Sequence, residues 1–207
     1  MNHPALLAIP VLMVADYLLT IYCAKESKDY RKYFPSQSYE LNPFLRRAVD
    51  NGQWFNPRHA IAVIANTACF FLADLLLWDY PAWFEVALGS QFGLFGLLCG
   101  RHISNLLIYR YVNRHPEEIS GQVRMSTEML LKISQFHQIG LLPIFALVAV
   151  FNPMPYTIGL SLGIVLGIFI HIFWSYKARA RAARVAPIIE ATLVDPPLET
   201  ANPGSDH

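Results

Sequence analysis

The sequence predicts an all-α fold: a polytopic membrane helical bundle of five transmembrane helices, N-terminus outside and C-terminus in the cytoplasm. Three observations carry that expectation. Five apolar windows each have the ~20 residues a helix needs to cross the hydrocarbon layer at about 1.5 Å per residue. Of the 207 residues, 54% are hydrophobic and the mean hydropathy is +0.33, more than a soluble domain usually carries. All 16 Lys and Arg then fall on one side of a five-crossing arrangement. A soluble helical bundle is disfavoured, because runs this long lack the polar face a soluble helix shows.

The windows are 5–24, 59–78, 82–100, 133–151 and 154–176. Lys25, Lys28, Arg31, Lys32, Arg46, Arg47 and Arg58 lie between the first and second. Arg101, Arg110, Arg114, Arg124 and Lys132 lie between the third and fourth, and Lys177, Arg179, Arg181 and Arg184 follow the fifth. An excess of Lys and Arg marks the cytoplasmic face, which fixes the orientation expected in an inner (plasma) membrane. The first window has no basic flank before it and no small-residue cleavage site after it, so it reads as a retained helix, not a signal peptide. Cys23, Cys69 and Cys99 lie in or beside apolar windows with no metal or disulfide spacing, which suits packing.

Residues 1–184 read as one membrane domain. The tail 185–207 holds Glu190, Asp195, Glu199, Asp206 and four prolines with no Lys or Arg, so it is expected to be disordered. Pro81, Pro153 and Pro155 stop the helices at two tight outer turns. Trp78, Tyr80, Trp83 and Tyr156 would form an outer aromatic belt, and Trp54, Tyr109, Tyr111, Trp174 and Tyr176 an inner one. The apolar stretch 102–112 either continues the third helix or lies along the interface.

The large loop 25–58 contains a short helix by its caps: Asn42 as N-cap, Pro43 at the first helical position and Gly52 at the end. Leu41, Leu45 and Val49 make an apolar stripe, expected to lie on the lipid interface with Arg46 and Arg47 towards phosphates.

Ionisable groups inside the apolar windows are costly and are therefore functional candidates. Asp16 lies ~13 Å from the inner edge, His171 ~9 Å and His137 ~7 Å, by residue count. Asp16 and Thr20 share a helix face, as do His102 and Asn105, and Gln135 and Gln138. Glu40 and Asn42 lie near the mouth. The expected result is a pocket open to the cytoplasm, lined by Asp16, Thr20, Glu40, Asn42, His102, Asn105, His137 and His171. Asp74 is too deep to pair with Asp16 and belongs with Asn66 and Thr67. His59 and His102 sit at the border, where they would meet headgroups, and Arg101 would snorkel to phosphates. Gly159, Gly163 and Gly167 recur every fourth residue, a stripe for close helix packing and a candidate surface for a homo-oligomer.

The Asp-x-x-x-Thr of Asp16 and Thr20, followed by Glu40-Leu41-Asn42-Pro43 and a further helix, resembles a family of small uncharacterised prokaryotic multi-pass membrane proteins. The resemblance covers about the first 80 residues and implies a shared site at Asp16, Thr20, Glu40 and Asn42, with no reaction attached. This chain departs from it in having two further helices and a long second cytoplasmic loop.

No His-Glu-x-x-His, Gly-x-Ser-x-Gly, phosphate-binding glycine loop or CxxC is present. The basic loops carry acids as well, so they read as contacts to anionic lipid headgroups with no role for nucleic acid. Three functions fit. The first, favoured here, is an inner polar site that binds or transports a small polar ligand, ion or lipid headgroup. The second is a metal-dependent, hydrolase-like intramembrane enzyme. In it His102, His137 and His171 would suit zinc and Asp16 or Glu40 would act as ligand or base. The third is a membrane assembly factor working through its loops and tail.

Overall fold

In a computed structural model, residues 4–30, 39, 40, 42, 44–121 and 127–194 are described. They are all-helical. A 3-10 turn (Pro4–Leu7) leads into α1 (Ala8–Tyr30), followed by the short α2 (Arg46–Asp50), α3 (Pro57–Leu76), α4 (Pro81–Arg114), a 3-10 turn (Pro116–Glu118), α5 (Thr127–Phe151) and α6 (Pro155–Val194). Five of these helices are long and apolar enough to cross a membrane.

The helix ends follow from local chemistry. Asn56 caps α3 by accepting the Arg58 N–H on Oδ1 at 2.9 Å, with Pro57 next to it in the first turn. Pro81 and Pro155 open α4 and α6. Thr157 Oγ1 donates to the Met154 carbonyl at 2.8 Å, closing the α5–α6 turn. Residues 102–112 continue the third long helix, because nothing between Gly100 and Arg114 breaks it and Pro116 stops it only afterwards. The tail expected to be disordered from 185 is helical as far as Val194, where Ala186, Glu190, Ala191 and Leu193 favour a helix; 195–207 lie outside the described residues.

Two kinds of packing hold the bundle. At the end carrying the α3–α4 and α5–α6 turns, here the hairpin end, α4 and α6 meet backbone to backbone. A Cβ added to Gly89 would lie 3.1 Å from Gly159 Cα, and one on Gly163 2.9 Å from the Leu94 nitrogen. Only glycine permits that approach. The Gly159–Gly163 stripe is therefore consumed inside the chain and is not free to join two copies. Leu6, Ile9, Met13, Phe84 and Leu88 form the adjoining core, with Val63, Phe70 and Phe92 around it.

At the opposite end α2 docks on α1. Val49 packs with Tyr17, Ile21 and Ala24, and Ala48 is buried too. Leu45 and Val49 of the expected stripe thus pack against protein instead of lying on lipid, Leu41 lying outside the described residues, and Tyr17 OH fixes the register by donating to the Gln53 carbonyl at 2.6 Å. Gly52, at φ +64°, turns the chain out of α2 as expected. Arg110 Nε lies 3.8 Å from Glu26 Oε1 and the Asn113 amide donates to the Glu26 carbonyl at 3.0 Å, so the far ends of α1 and α4 meet here. These contacts define the basic end.

By contrast α3 stands at the edge. Ile61, Ile64, Leu72, Leu75 and Leu76 are each more than half exposed, a surface that suits lipid. Three aromatic residues of the expected belts turn inward. Tyr156 packs on Phe92, Tyr109 meets Tyr39 edge-on at 6.0 Å, and Trp174 lies 5.6 Å from the His171 ring.

Candidate functional site

The basic half of the bundle encloses a cavity of about 700 Å³. It is walled by α1 (Met13 to Ser27), the α3 N-terminus (Arg58, His59, Ala62), α4 (Leu94 to Tyr109), the α5 N-terminal half (Leu130 to His137) and α6 (Gly167 to Trp174), with Tyr39, Glu40, Asn42, Phe44 and Leu45 from the loop before and at α2. All eight residues singled out from the sequence line it: Asp16, Thr20, Glu40, Asn42, His102, Asn105, His137 and His171.

Two hydrogen-bonded clusters occupy this space, and α4 separates them. Successive residues point about 100° apart around a helix, so Arg101 and His102 face different neighbours. His102 is buried and turns to α1. Its Nε2 lies 3.1 Å from Thr20 Oγ1 and 3.4 Å from Asp16 Oδ1. Thr20 spends its own proton on the Asp16 carbonyl at 2.8 Å, so it accepts from His102, and Nε2 carries the ring hydrogen. Nδ1 then accepts from Tyr39 OH at 2.8 Å, and Tyr39 in turn accepts from the Asn105 amide at 3.2 Å. The result is one directed chain, Asn105 to Tyr39 to His102 to Thr20, with the Asp16 carboxylate at its end. Burial pushes the Tyr39 phenol far up, which keeps it a donor at neutral pH. His102 is therefore a buried hydrogen-bonding residue and not a border group meeting headgroups.

The loop that delivers Tyr39 is held by its own polar groups. Glu40 accepts the Asn42 N–H at 2.6 Å, Asn42 Oδ1 accepts the Phe44 N–H at 3.0 Å, and Arg46 Nε donates to the Glu40 carbonyl at 3.3 Å. The Asn42 cap thus works as an Asx turn, and α2 proper begins four residues later. Burial pushes the Glu40 carboxyl up to about 7, and Asp16 adds to that; the Asn42 N–H, Arg101 and Arg46 work against it.

On the other side of α4 is His171, buried where α5 and α6 converge. Its Nδ1 donates to the Gly167 carbonyl at 2.9 Å, which leaves Nε2 to accept from Ser134 Oγ at 2.8 Å and from Arg101 at 3.4 Å. Arg101 is therefore turned into the protein instead of snorkelling outward. His137 lies on the exposed side of α5 at the cavity edge.

The zinc reading does not fit this geometry. The nitrogens of His102 and His171 are engaged in hydrogen bonds, His137 is exposed, and the three do not converge. Among the described residues, one group of three such side chains has its ligand atoms within 4.8 Å of one another. It is His115, Glu117 and Glu118, on the turn after α4.

Sequence reasoning missed four members of the site. Tyr39 and Ser134 carry no signal in a single sequence. Arg101 looked like a boundary charge, though its place one residue before His102 puts it inside the same helical turn. His59 was assigned to headgroups, yet its ring stacks on Tyr17 at 4.5 Å and its Nε2 is buried. Comparison of the chain with protein-family models, characterised proteins and solved structures finds no match.

Proposed function

We propose that this is a multi-pass inner-membrane protein whose polar cavity opens towards the cytoplasm and holds a small polar ligand, ion or lipid headgroup. The observation that carries the reading is the convergence of eight costly polar side chains on one cavity of about 700 Å³, from four helices and the loop before α2. Polar groups this deep are retained where they meet a partner that hydrocarbon cannot supply. The distribution of Lys and Arg supports the orientation. The resemblance to small prokaryotic membrane proteins, through Asp16, Thr20, Glu40 and Asn42, supports the same placement of the site.

The test is to identify what travels with the detergent-solubilised full chain by native mass spectrometry, for the wild type and for Arg101→Ala. A bound species present in the first and lost in the second is expected; identical spectra from both would refute the reading. Cysteines placed at 30 and 120 in a Cys-free background should label from the same leaflet.

One observation favours a second reading, an intramembrane enzyme. An Asp–His–Tyr line is the arrangement in which a carboxylate orients an imidazole for proton transfer. Here it would act as acid and base without a metal, the His102 Nδ1 taking a proton from a reactant in place of Tyr39. Turnover of a bound species, abolished by His102→Gln with binding intact, would favour it.

A further inference from the structure

The cavity's two walls have opposite hydrogen-bonding character, and this deepens the proposed function, on which it rests. On the α1–α3 wall two buried atoms make no hydrogen bond among the described residues: His59 Nε2, and Asp16 Oδ1, whose nearest donor is the His102 ring at 3.4 Å. A carboxylate oxygen only accepts, and a neutral imidazole has one accepting nitrogen, so both residues can take a donor. Among the described residues the Asp16 carboxylate has no cation within 4 Å apart from the His102 ring. Across the cavity, Arg101 makes one long contact, to the neutral face of His171, and no ion pair among the described residues. A guanidinium has five N–H donors, so most of its capacity faces the cavity. A partly desolvated carboxylate or guanidinium costs free energy unless it meets an opposite charge.

We propose that the cavity binds a zwitterion: a primary ammonium at Asp16 and His59, joined to an anionic oxyacid at Arg101. An anion alone would leave Asp16 uncompensated, and a cation alone would leave Arg101 facing only the Glu40 carboxyl, whose charged form burial disfavours. A primary ammonium supplies three donors to a wall of unfilled acceptors, which a quaternary ammonium does not. A phosphate or carboxylate suits the planar donor fork of Arg101. Two sources share this chemistry, an aminophospholipid headgroup and a free amino-phosphate or amino acid. Leu94, Leu98, Leu130 and Ile133 give the same cavity an apolar flank that an acyl chain would fill.

The experiment titrates the detergent-solubilised full chain with dihexanoyl phosphatidylethanolamine, dihexanoyl phosphatidylglycerol, dihexanoyl phosphatidylcholine and free phosphoethanolamine, read by native mass spectrometry. The wild type should bind the ethanolamine lipid about tenfold more tightly than the glycerol or choline lipids, the size of one or two charge-assisted hydrogen bonds. Asp16→Asn should erase that preference, with the glycerol lipid binding at least as tightly as the ethanolamine lipid, and His59→Phe, which keeps the stack on Tyr17, should reduce it. Competition by free phosphoethanolamine names a water-soluble source; binding of the lipid without such competition names the membrane. Both of these results support the zwitterion. Equal binding of all three lipids, lost in Arg101→Ala, would overturn the zwitterion and leave the proposed function standing. No binding of any probe, together with nothing bound after purification, would overturn both. The preference within the wild type is decisive even where a variant fails to fold.

Discussion

The two halves of this bundle are joined by different means. At the hairpin end α4 and α6 touch through backbone, Gly89 against Gly159 and Gly163 against Ser90 and Leu94. At the basic end the same two helices part to admit Arg101, Ser134 and His171, and α1 is linked to α4 by way of His102 and Tyr39. Gly167 marks the changeover: a Cβ there would lie 3.2 Å from Leu94 Cδ1 and 3.4 Å from the Gln138 amide, in space that side chains can yield. The first half resists deformation because backbone cannot move aside. The second holds its shape by polar contacts that a ligand can exchange. A clamp at one end is what permits a polar cavity at the other.

The comparison breaks most sharply at Gly163. Gly163→Leu places carbon where the Ser90 and Leu94 backbones already are, so a loss of about 3 kcal/mol or more is expected, seen as loss of monodisperse protein and a lower Tm in detergent. A wild-type Tm would sink the clamp. Next in size is His102→Ala, which leaves Tyr39, Thr20 and Asp16 without their common partner; about 2 kcal/mol should be lost. Hydrogen exchange should rise first in 39–53, with the hairpin end still protected.

A third effect depends on pH. Glu40 carries a raised pKa of about 7 in the folded loop against an ordinary value of 4.5. Its contribution is therefore fully present below pH 4.5 and is lost as pH rises through about 7, because the charged form is the one that burial disfavours. Protection of the loop around 39–46 should fall by at least about tenfold between pH 5 and pH 8, and Glu40→Gln should flatten that change. A loop equally protected at both values would remove the assignment. Smallest is Gly100→Ala. No atom lies within 4 Å of a Cβ there, so helix propensity alone applies, and a gain of up to about 1 kcal/mol is expected from the Tm. The contrast between Gly100 and Gly163, both helical glycines, separates packing from propensity.

Much of this was legible in the residues. The cost of an ionisable group in hydrocarbon singles out Asp16 and His171, and helical spacing joins Thr20 to Asp16 and Asn105 to His102. Capping chemistry gives Asn42 and Gly52. What the chain does not spell out is direction. Arg101 and His102 differ by one residue, and only the neighbours of α4 decide that one meets α6 and the other α1. The stripe of α2 reads equally well against lipid or protein, and it is Tyr17 and Ile21 on α1 that settle the matter. The same ambiguity sent Tyr109, Tyr156 and Trp174 to belts they do not join, since an aromatic near a helix end suits either an interface or a seam. Residues such as Tyr39 enter a site from a loop, where no period constrains them.

The length of α4 has a consequence for how a solute could arrive. Measured from Pro81 at about 1.5 Å per residue, Leu94 stands ~20 Å along the rod and Tyr109 ~42 Å, while the hydrocarbon slab is about 30 Å deep. With Pro81 at the outer edge of the slab, as the proposed orientation has it, the chamber between those two residues would straddle the boundary between oil and water. A molecule with one wet end and one greasy end can therefore be received in a single orientation, each end staying in the phase that already dissolves it.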